Sequence, residues 1–286
     1  MKKIDAHDFF NKKRSVKEYN EIYGDTLDFD SLYPANLKRL EIFIKLLKKY
    51  KPKKILDAGC GNGMPLIQIK KIGFDIKGYD KAQNMINQSK SNLKKFDFPT
   101  NIIFKDDFEN PQQIKKNSVD CIVGMGAFYY TKNFKKTISN QLKGLKKNGK
   151  LIFSLRNKLF DLSTLNDYSK NFLDELYNLQ SLKPEWKKKY KNLSSGYIKI
   201  KNNKNKNIDQ NKVLSMRHNP LTINLELEKL GLKVEGIYFY HFHPLPPYFE
   251  SLDQTYYRRV AWKMEDPLDW RGYLLASCFV VDCKKI

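Results

Sequence analysis

The chain has 286 residues, 41% of them hydrophobic, which is enough for one large domain or one domain with an insertion. No apolar run approaches the ~20 residues that span a bilayer, and MKKIDAHDFFNKKRS lacks the apolar stretch of a secretory signal, so a cytoplasmic protein without a membrane span is expected. The net charge of +22 admits a nucleic-acid partner, but only seven of the 53 basic residues are arginine, whose planar fork best reads phosphates and bases, so a compositional Lys/Asn/Ile bias is preferred.

Residues 5–50 read as two amphipathic helices. The first carries Phe9, Phe10, Tyr19, Ile22 and Tyr23 and ends in a turn at Gly24 and Asp25. In the second, Leu37, Leu40, Ile44 and Leu47 recur at helical spacing until Pro52 stops it. The pair is either a plain scaffold or a lid over a ligand, with Tyr19 a candidate substrate contact.

Next comes KKILDAGCGNGMPLIQIKKIGFDIKGYD, residues 53–80. It predicts a strand over 54–57, a turn at Gly59, Gly61 and Gly63, a helix through Leu66, Ile67 and Ile69 to Gly73, and a strand over 75–79 delivering Asp80. Glycine is required where the backbone passes close to a ligand in conformations that a Cβ forbids. Pro65 suits a first helical turn, and an acid at a strand tip can accept two hydrogen bonds from ribose hydroxyls. This is a nucleoside-binding strand–helix–strand unit.

A helix is expected over 82–95 and a strand over 101–105, followed by Asp106-Asp107-Phe108. A strand over 119–123 leads into Gly124-Met125-Gly126-Ala127-Phe128-Tyr129-Tyr130. Then come a helix over 132–145, a turn over 146–150 and a strand over 151–155. The glycine spacing is GxGxG rather than GxGxxG, with an acid, Asp57, two residues before the first glycine. The chain therefore resembles the class I (Rossmann-like) S-adenosylmethionine-dependent methyltransferases over residues 50–156 and again near the C-terminus. It departs from them at Lys147-Asn148, where Pro-Gly is common.

The resemblance implies an α/β fold with a seven-stranded sheet, helices on both faces and a last antiparallel strand. It implies S-adenosylmethionine as cofactor, held by Asp57, Gly59, Cys60 and Gly61 at the glycine loop and by Asp80 and Lys81 at the next strand tip. Asp107 and Phe108 would lie at the adenine, with Gly124 and Met125 after strand four. Three parts are expected: an N-terminal helical segment or lid (1–52), a core (53–156 with 221–286) and a substrate cap (157–220). Within the cap, residues 197–200 read as a small hairpin. A helix over 222–230 and a strand over 233–240 follow. Residues 241–272, with a helix over 249–262, form an enlarged connection to a final strand over 273–282.

Methyl transfer from a sulfonium is a direct displacement, so it needs alignment and water exclusion more than a catalytic triad. Tyr129 can present an aromatic face to a cationic methyl group. His241 and His243 are candidate general bases for a hydroxyl acceptor. Tyr130, Arg156 and Asn157 are candidate acceptor contacts at strand ends, where ligands collect. The four cysteines lack metal-ligand spacing, so no metal is expected, and Cys121 lies inside a strand rather than after it. Pro246-Pro247-Tyr248 imitates the signature of amino-methylating DNA enzymes but follows the wrong strand. The expected function is methyl transfer to oxygen or nitrogen of a small or medium-sized acceptor. RNA modification or an inactive nucleoside-binding protein is the alternative, and the oligomeric state is left open.

Overall fold

The computed structural model describes residues 4–21, 29–30, 32–194, 213 and 215–286, without the side chains of 18–21 and 193–194. The expected turn at Gly24 and Asp25 and the expected hairpin over 197–200 lie outside the described residues. Two short helices, α1 (Ala6–Phe10) and α2 (Lys13–Glu21), precede a long one, α3 (Ala35–Tyr50).

Strand β1 (Ile55–Ala58) is buried along its whole length and pairs in parallel with β2 (Ile76–Asp80) and β4 (Val119–Gly124). β2 pairs in parallel with β3 (Ile103–Lys105), and β4 with β5 (Leu145–Asn157). Strands covered on both faces need the near-continuous apolar runs seen here. The C-terminal hairpin of β7 (Leu232–Phe242) and β8 (Ala276–Lys285) adds antiparallel strands on the β5 side. The path runs β3-β2-β1-β4-β5-β8-β7, so the order reverses between β1 and β4 and opens a crevice at their carboxyl ends.

An eighth strand departs from the expected seven. β6 (Arg217–His218) pairs in parallel with Arg156 and Asn157, filling the edge left where β4 stops at Gly124 opposite Phe153. Two residues are too short to show alternation. The expected turn over 146–150 is instead a bulge inside β5: Leu145 pairs with Val119 and Lys150 with Cys121, and Asn148 takes φ 62°.

α3, α4 (Met64–Lys71) and α5 (Gln83–Lys95) cover one face of the sheet, where Phe43, Leu47, Leu66, Ile67 and Leu93 are fully buried. α6 (Phe134–Gly144) and α9 (Ile223–Glu228) cover the other, with Ile138, Ile223 and Leu227 against Phe153 and Phe279. α3 is thus a scaffold helix; Phe43→Ala would cost ~3–5 kcal/mol in such a core. Between β5 and β6 the chain makes a 3-10 turn over Leu159–Thr164 and helices α7 (Asp167–Leu176) and α8 (Pro184–Ser194). Between β7 and β8 it makes a 3-10 turn over Pro247–Ser251, α10 (Gln254–Lys263) and α11 (Gly272–Leu275). No described helix is long and apolar enough to cross a membrane.

Candidate active site

The glycine loop is held by backbone. The N–H groups of Gly59 and Cys60 both donate to the Tyr79 carbonyl at 2.9 Å, pinning the turn onto β2. Gly59 has φ +77°, and a Cβ there would lie 2.7 Å from the Ala127 Cβ. Gly59 is therefore where the β1 and β4 loops nearly touch. Asp80 completes the turn: Oδ2 accepts from the Gly61 N–H at 2.9 Å and Oδ1 from the Ala82 N–H at 2.8 Å. Burial raises its carboxyl above the usual range while the Ala82, Gly61 and Lys81 N–H groups pull it back. A carboxylate has about four lone-pair sites, so with three N–H groups facing it some acceptor capacity remains for a ligand hydroxyl.

Beyond Asp80, the Lys81 ammonium pairs with Asp107 at 2.9 Å. Partial burial pushes the Asp107 carboxyl up, but Lys81 and the Glu109 N–H hold it below the usual value. Asp106 has a different job: its carboxylate accepts from the Asp107, Gln112 and Gln113 N–H groups and fixes the turn. Phe108 meets Phe128 edge-on at 4.9 Å.

A cavity of about 760 Å³ opens over this loop. Gly59, Gly61, Asp80, Lys81, Asp107, Phe108 and Met125 line one end, and Tyr129, Tyr130, Arg156 and His241 line the other. The remaining sequence candidates with described side chains do not line it. Asp57 is buried beneath the turn with Oδ1 unpartnered among the described residues; burial, then the Asp80 charge, raise its pKa to about 8 against the pull of Arg39. Cys60 turns its buried thiol towards Gly78, and a Cβ on Gly124 would strike the Phe128 ring, so both serve packing. Tyr19 belongs to α2, and its side chain lies outside the described residues.

Two further expectations are corrected. Asn157 is fully buried: Nδ2 donates to the carbonyls of Gly272, Tyr273 and Ala276, at 3.2, 2.9 and 2.8 Å, and Oδ1 accepts from the Leu159 N–H at 2.9 Å. It ties the root of the insertion to the final hairpin and, fully buried, does not line the cavity. His243 is also buried, with Nδ1 3.1 Å from the Tyr257 hydroxyl and its ring against Phe160. Burial, then His241, push its pKa well below the ordinary histidine value.

His241 does face the cavity. It stands at φ 64°, a strained conformation for histidine, and the following N–H, of Phe242, donates to Glu265 at 2.9 Å. Its ring stacks on Tyr33 at 4.9 Å and Nδ1 lies 2.8 Å from the Ser277 hydroxyl. Burial, then Arg156, lower its pKa to about 4. It is therefore neutral at neutral pH and a weak base.

Among the lining residues that sequence reasoning did not name for the site are Tyr33, Arg39, Tyr168 and Arg217. Arg39 is buried on α3 and packs on Gly126, where a Cβ would lie 2.5 Å from its guanidinium. An arginine four residues before Phe43, on an apolar helical face, was a visible signal. Arg217, ion-paired with Asp161, offered only its rarity in a lysine-rich chain.

Residues 49–219 match the family described as "Methyltransferase domain". The chain belongs to that family. Among curated proteins it is 27% identical to the glycine/sarcosine N-methyltransferase of Aphanothece halophytica over 121 residues, 41% of this chain and 45% of that one. It is 26% identical to the ubiquinone biosynthesis O-methyltransferase of Hydrogenovibrio crunogenus over 140 residues, 49% and 57% of the two chains. The chain thus spans about half the length of the curated relatives it matches. Its fold resembles that of the magnesium protoporphyrin IX methyltransferase of Synechocystis PCC 6803, solved with bound SAH, at a TM-score of 0.58 and 13% identity over 98% of both chains. S-adenosylmethionine is the cofactor of such domains, and the residues present fit it: a glycine turn that a Cβ would fill, and a strand-tip carboxylate with acceptor capacity to spare.

Proposed function

We propose that this methyltransferase transfers the methyl group of S-adenosylmethionine to an oxygen or nitrogen of a small or medium-sized acceptor. The observation that carries this reading is the single cavity running from the glycine turn to the wall of Tyr129, Tyr130, Arg156 and His241. When bound, the cofactor supplies an electrophilic methyl group on a cationic sulfur. On this reading Asp80 holds ribose hydroxyls, while Lys81, Asp107 and Phe108 border the adenine. The buried Tyr129 ring lies 4.5 Å from that of Tyr130, an aromatic wall that excludes water and can face the cationic centre. His241, neutral and weakly basic, orients a hydroxyl or amine proton rather than removing one. The curated relatives, one named for N- and the other for O-methylation, support the choice of acceptor atom.

The parts flanking the core are assigned covering roles in the same reading. α1 lines the cavity through Ala6, His7 and Phe10, and Asp5 pairs with Lys132 at 2.6 Å across its mouth. Asn11 bonds Asn84 at the start of α5. Residues 1–33 are therefore proposed as a lid and the insertion over 157–220 as the substrate cap, around a core that includes α3. The test is transfer of labelled methyl into cell-extract fractions sorted by size and nuclease sensitivity. Label in nuclease-resistant small molecules is expected. Label confined to nuclease-sensitive material would move the acceptor to RNA, and none in any fraction, with S-adenosylhomocysteine still bound, would leave a nucleoside-binding protein.

A further inference from the structure

Arg156 and Arg217 are direct partners across the β5–β6 pairing. Two like charges side by side in a partly dry cavity repel, and they persist only when anions compensate them. Arg217 has its anion, Asp161, and its guanidinium also lies 4.0 Å from the Tyr168 ring centre. Arg156 has none among the described residues. Its hydrogen bonds go to two neutral hydroxyls, Ser215 at 3.1 Å and Tyr130 at 3.4 Å, and its guanidinium lies 5.0 Å from the Tyr129 ring centre. A guanidinium carries five N–H donors, so about three stay available.

The carboxylates that line the cavity are engaged elsewhere. Asp5 pairs with Lys132, Asp107 with Lys81 and Glu250 with Arg258. Glu109 accepts from the Lys132 backbone, and Asp80 from Gly61 and Ala82. The excess positive charge beside Arg156 is also felt by its neighbour: burial, then Arg156, bring the Arg217 pKa down to about 10. Arginine is rare here, seven of 53 basic residues, yet Arg39, Arg156, Arg217 and Arg258 all line this cavity. A planar fork binds carboxylates bidentately where an ammonium acts as a point charge.

Resting on the methyl-transfer reading above, we infer that the acceptor is a carboxylic acid whose carboxylate seats on the Arg156 guanidinium, with its body among the Tyr129, Tyr130 and Tyr168 rings. The ribose end of the donor carries no anion and is remote from Arg156; the donor's one carboxylate is on its methionine end, which the S-adenosylhomocysteine melting shift separates from the acceptor. Three strand spacings, ~14 Å, separate β2, which carries Asp80, from β5. The Arg156 guanidinium, without a carboxylate among the described residues, fits one monoanion, whereas a dianionic phosphate would bring a second negative charge into the cavity.

The experiment separates a small-molecule ultrafiltrate of cell extract on an anion exchanger and offers both fractions, with labelled methyl donor, to the full chain. Methyl acceptance is expected in the retained fraction and to survive phosphatase treatment. Arg156→Gln should raise KM for that fraction at least ~10-fold, as loss of a charged hydrogen bond does, while the melting shift with S-adenosylhomocysteine stays unchanged. Arg156→Lys, which keeps the charge and loses the fork, should recover part of the KM and serves in place of the glutamine variant if that one does not fold. Acceptance in the flow-through, acceptance destroyed by phosphatase, or an Arg156 variant that weakens S-adenosylhomocysteine rather than the acceptor each overturns the inference. No transfer from either fraction, with the melting shift intact, overturns the methyl-transfer reading and the inference with it.

Discussion

The two ends of the cavity are built in opposite ways. The glycine end is made of backbone held by backbone, from residues 57–108, with Asp80 and Tyr79 fastening the turn. The aromatic end is made of side chains that arrive from residues 33, 129, 156, 217 and 241. The first end is a local shape fixed by hydrogen bonds between neighbouring segments. The second is a set of projections from loops and insertions, which can vary without disturbing the sheet. A shared ligand calls for backbone geometry; a particular acceptor calls for side chains.

That contrast can be broken at four places. The largest effect is expected from Asp80→Ala, which removes the acceptor of the Gly61 and Ala82 N–H groups together with the proposed ribose contact. The melting shift produced by S-adenosylhomocysteine should vanish; an undiminished shift would detach the glycine end from cofactor binding.

Gly59→Val comes next. A branched residue at φ +77°, 2.7 Å from the Ala127 Cβ, adds strain of ~1–3 kcal/mol and narrows the ligand's approach. Binding of S-adenosylhomocysteine, followed by calorimetry, should weaken by ~10-fold or more. Gly73→Ala, at φ +94° with nothing within 4 Å, is the control: some melting temperature is lost and the ligand's affinity is kept.

Asn157→Ala sharpens the other side. It removes donors to three carbonyls of the β7–β8 connection and should cost ~1–3 kcal/mol in denaturant unfolding, with S-adenosylhomocysteine affinity intact. An unchanged stability with a raised acceptor KM would return Asn157 to the acceptor.

The smallest effect is a pH dependence. His218 is buried against the Phe134 ring, and burial lowers its pKa to about 4 from about 6.5 unfolded. Between those values the unfolded chain binds a proton that the folded one excludes. The contribution of His218 is therefore complete above pH 6.5 and is lost as pH falls to 4. The stability of the native chain relative to His218→Phe, from urea unfolding, should fall across that window and stay flat above it. A flat difference throughout would show that His218 is protonated as readily folded as unfolded.

Much of the fold was legible because it is written locally. Apolar runs of strand length, Gly73 at the end of α4 and the helical recurrence in α3 each report on a few neighbouring residues. The strand order followed from the resemblance rather than from any one strand. β6 was not legible, because two residues carry no period, nor was the bulge in β5, because its polar run looks like a turn. At the site, Gly59, Gly61, Asp80, Lys81 and Asp107 were named from the family resemblance and do line the cavity, whereas Asp57, Cys60 and Gly124, named in the same way, do not. Asn157 and His243 stood next to strand tips, but they are turned into the protein. Adjacency to a strand end places a residue near the crevice without settling which way it faces.

The sequence by itself determined the glycine end: an acid, three glycines and a second acid within one strand–helix–strand unit dictate a turn whose geometry is local. Only the tertiary structure decided the aromatic end. Tyr33 comes to stack on His241, Glu265 comes to accept from the Phe242 N–H, and Arg156 comes to stand beside Arg217 without a carboxylate of its own among the described residues. Each of these joins segments tens to hundreds of residues apart. A contact between distant segments leaves no periodicity in either of them, so the aromatic end of the cavity becomes readable only once the sheet has brought those segments together.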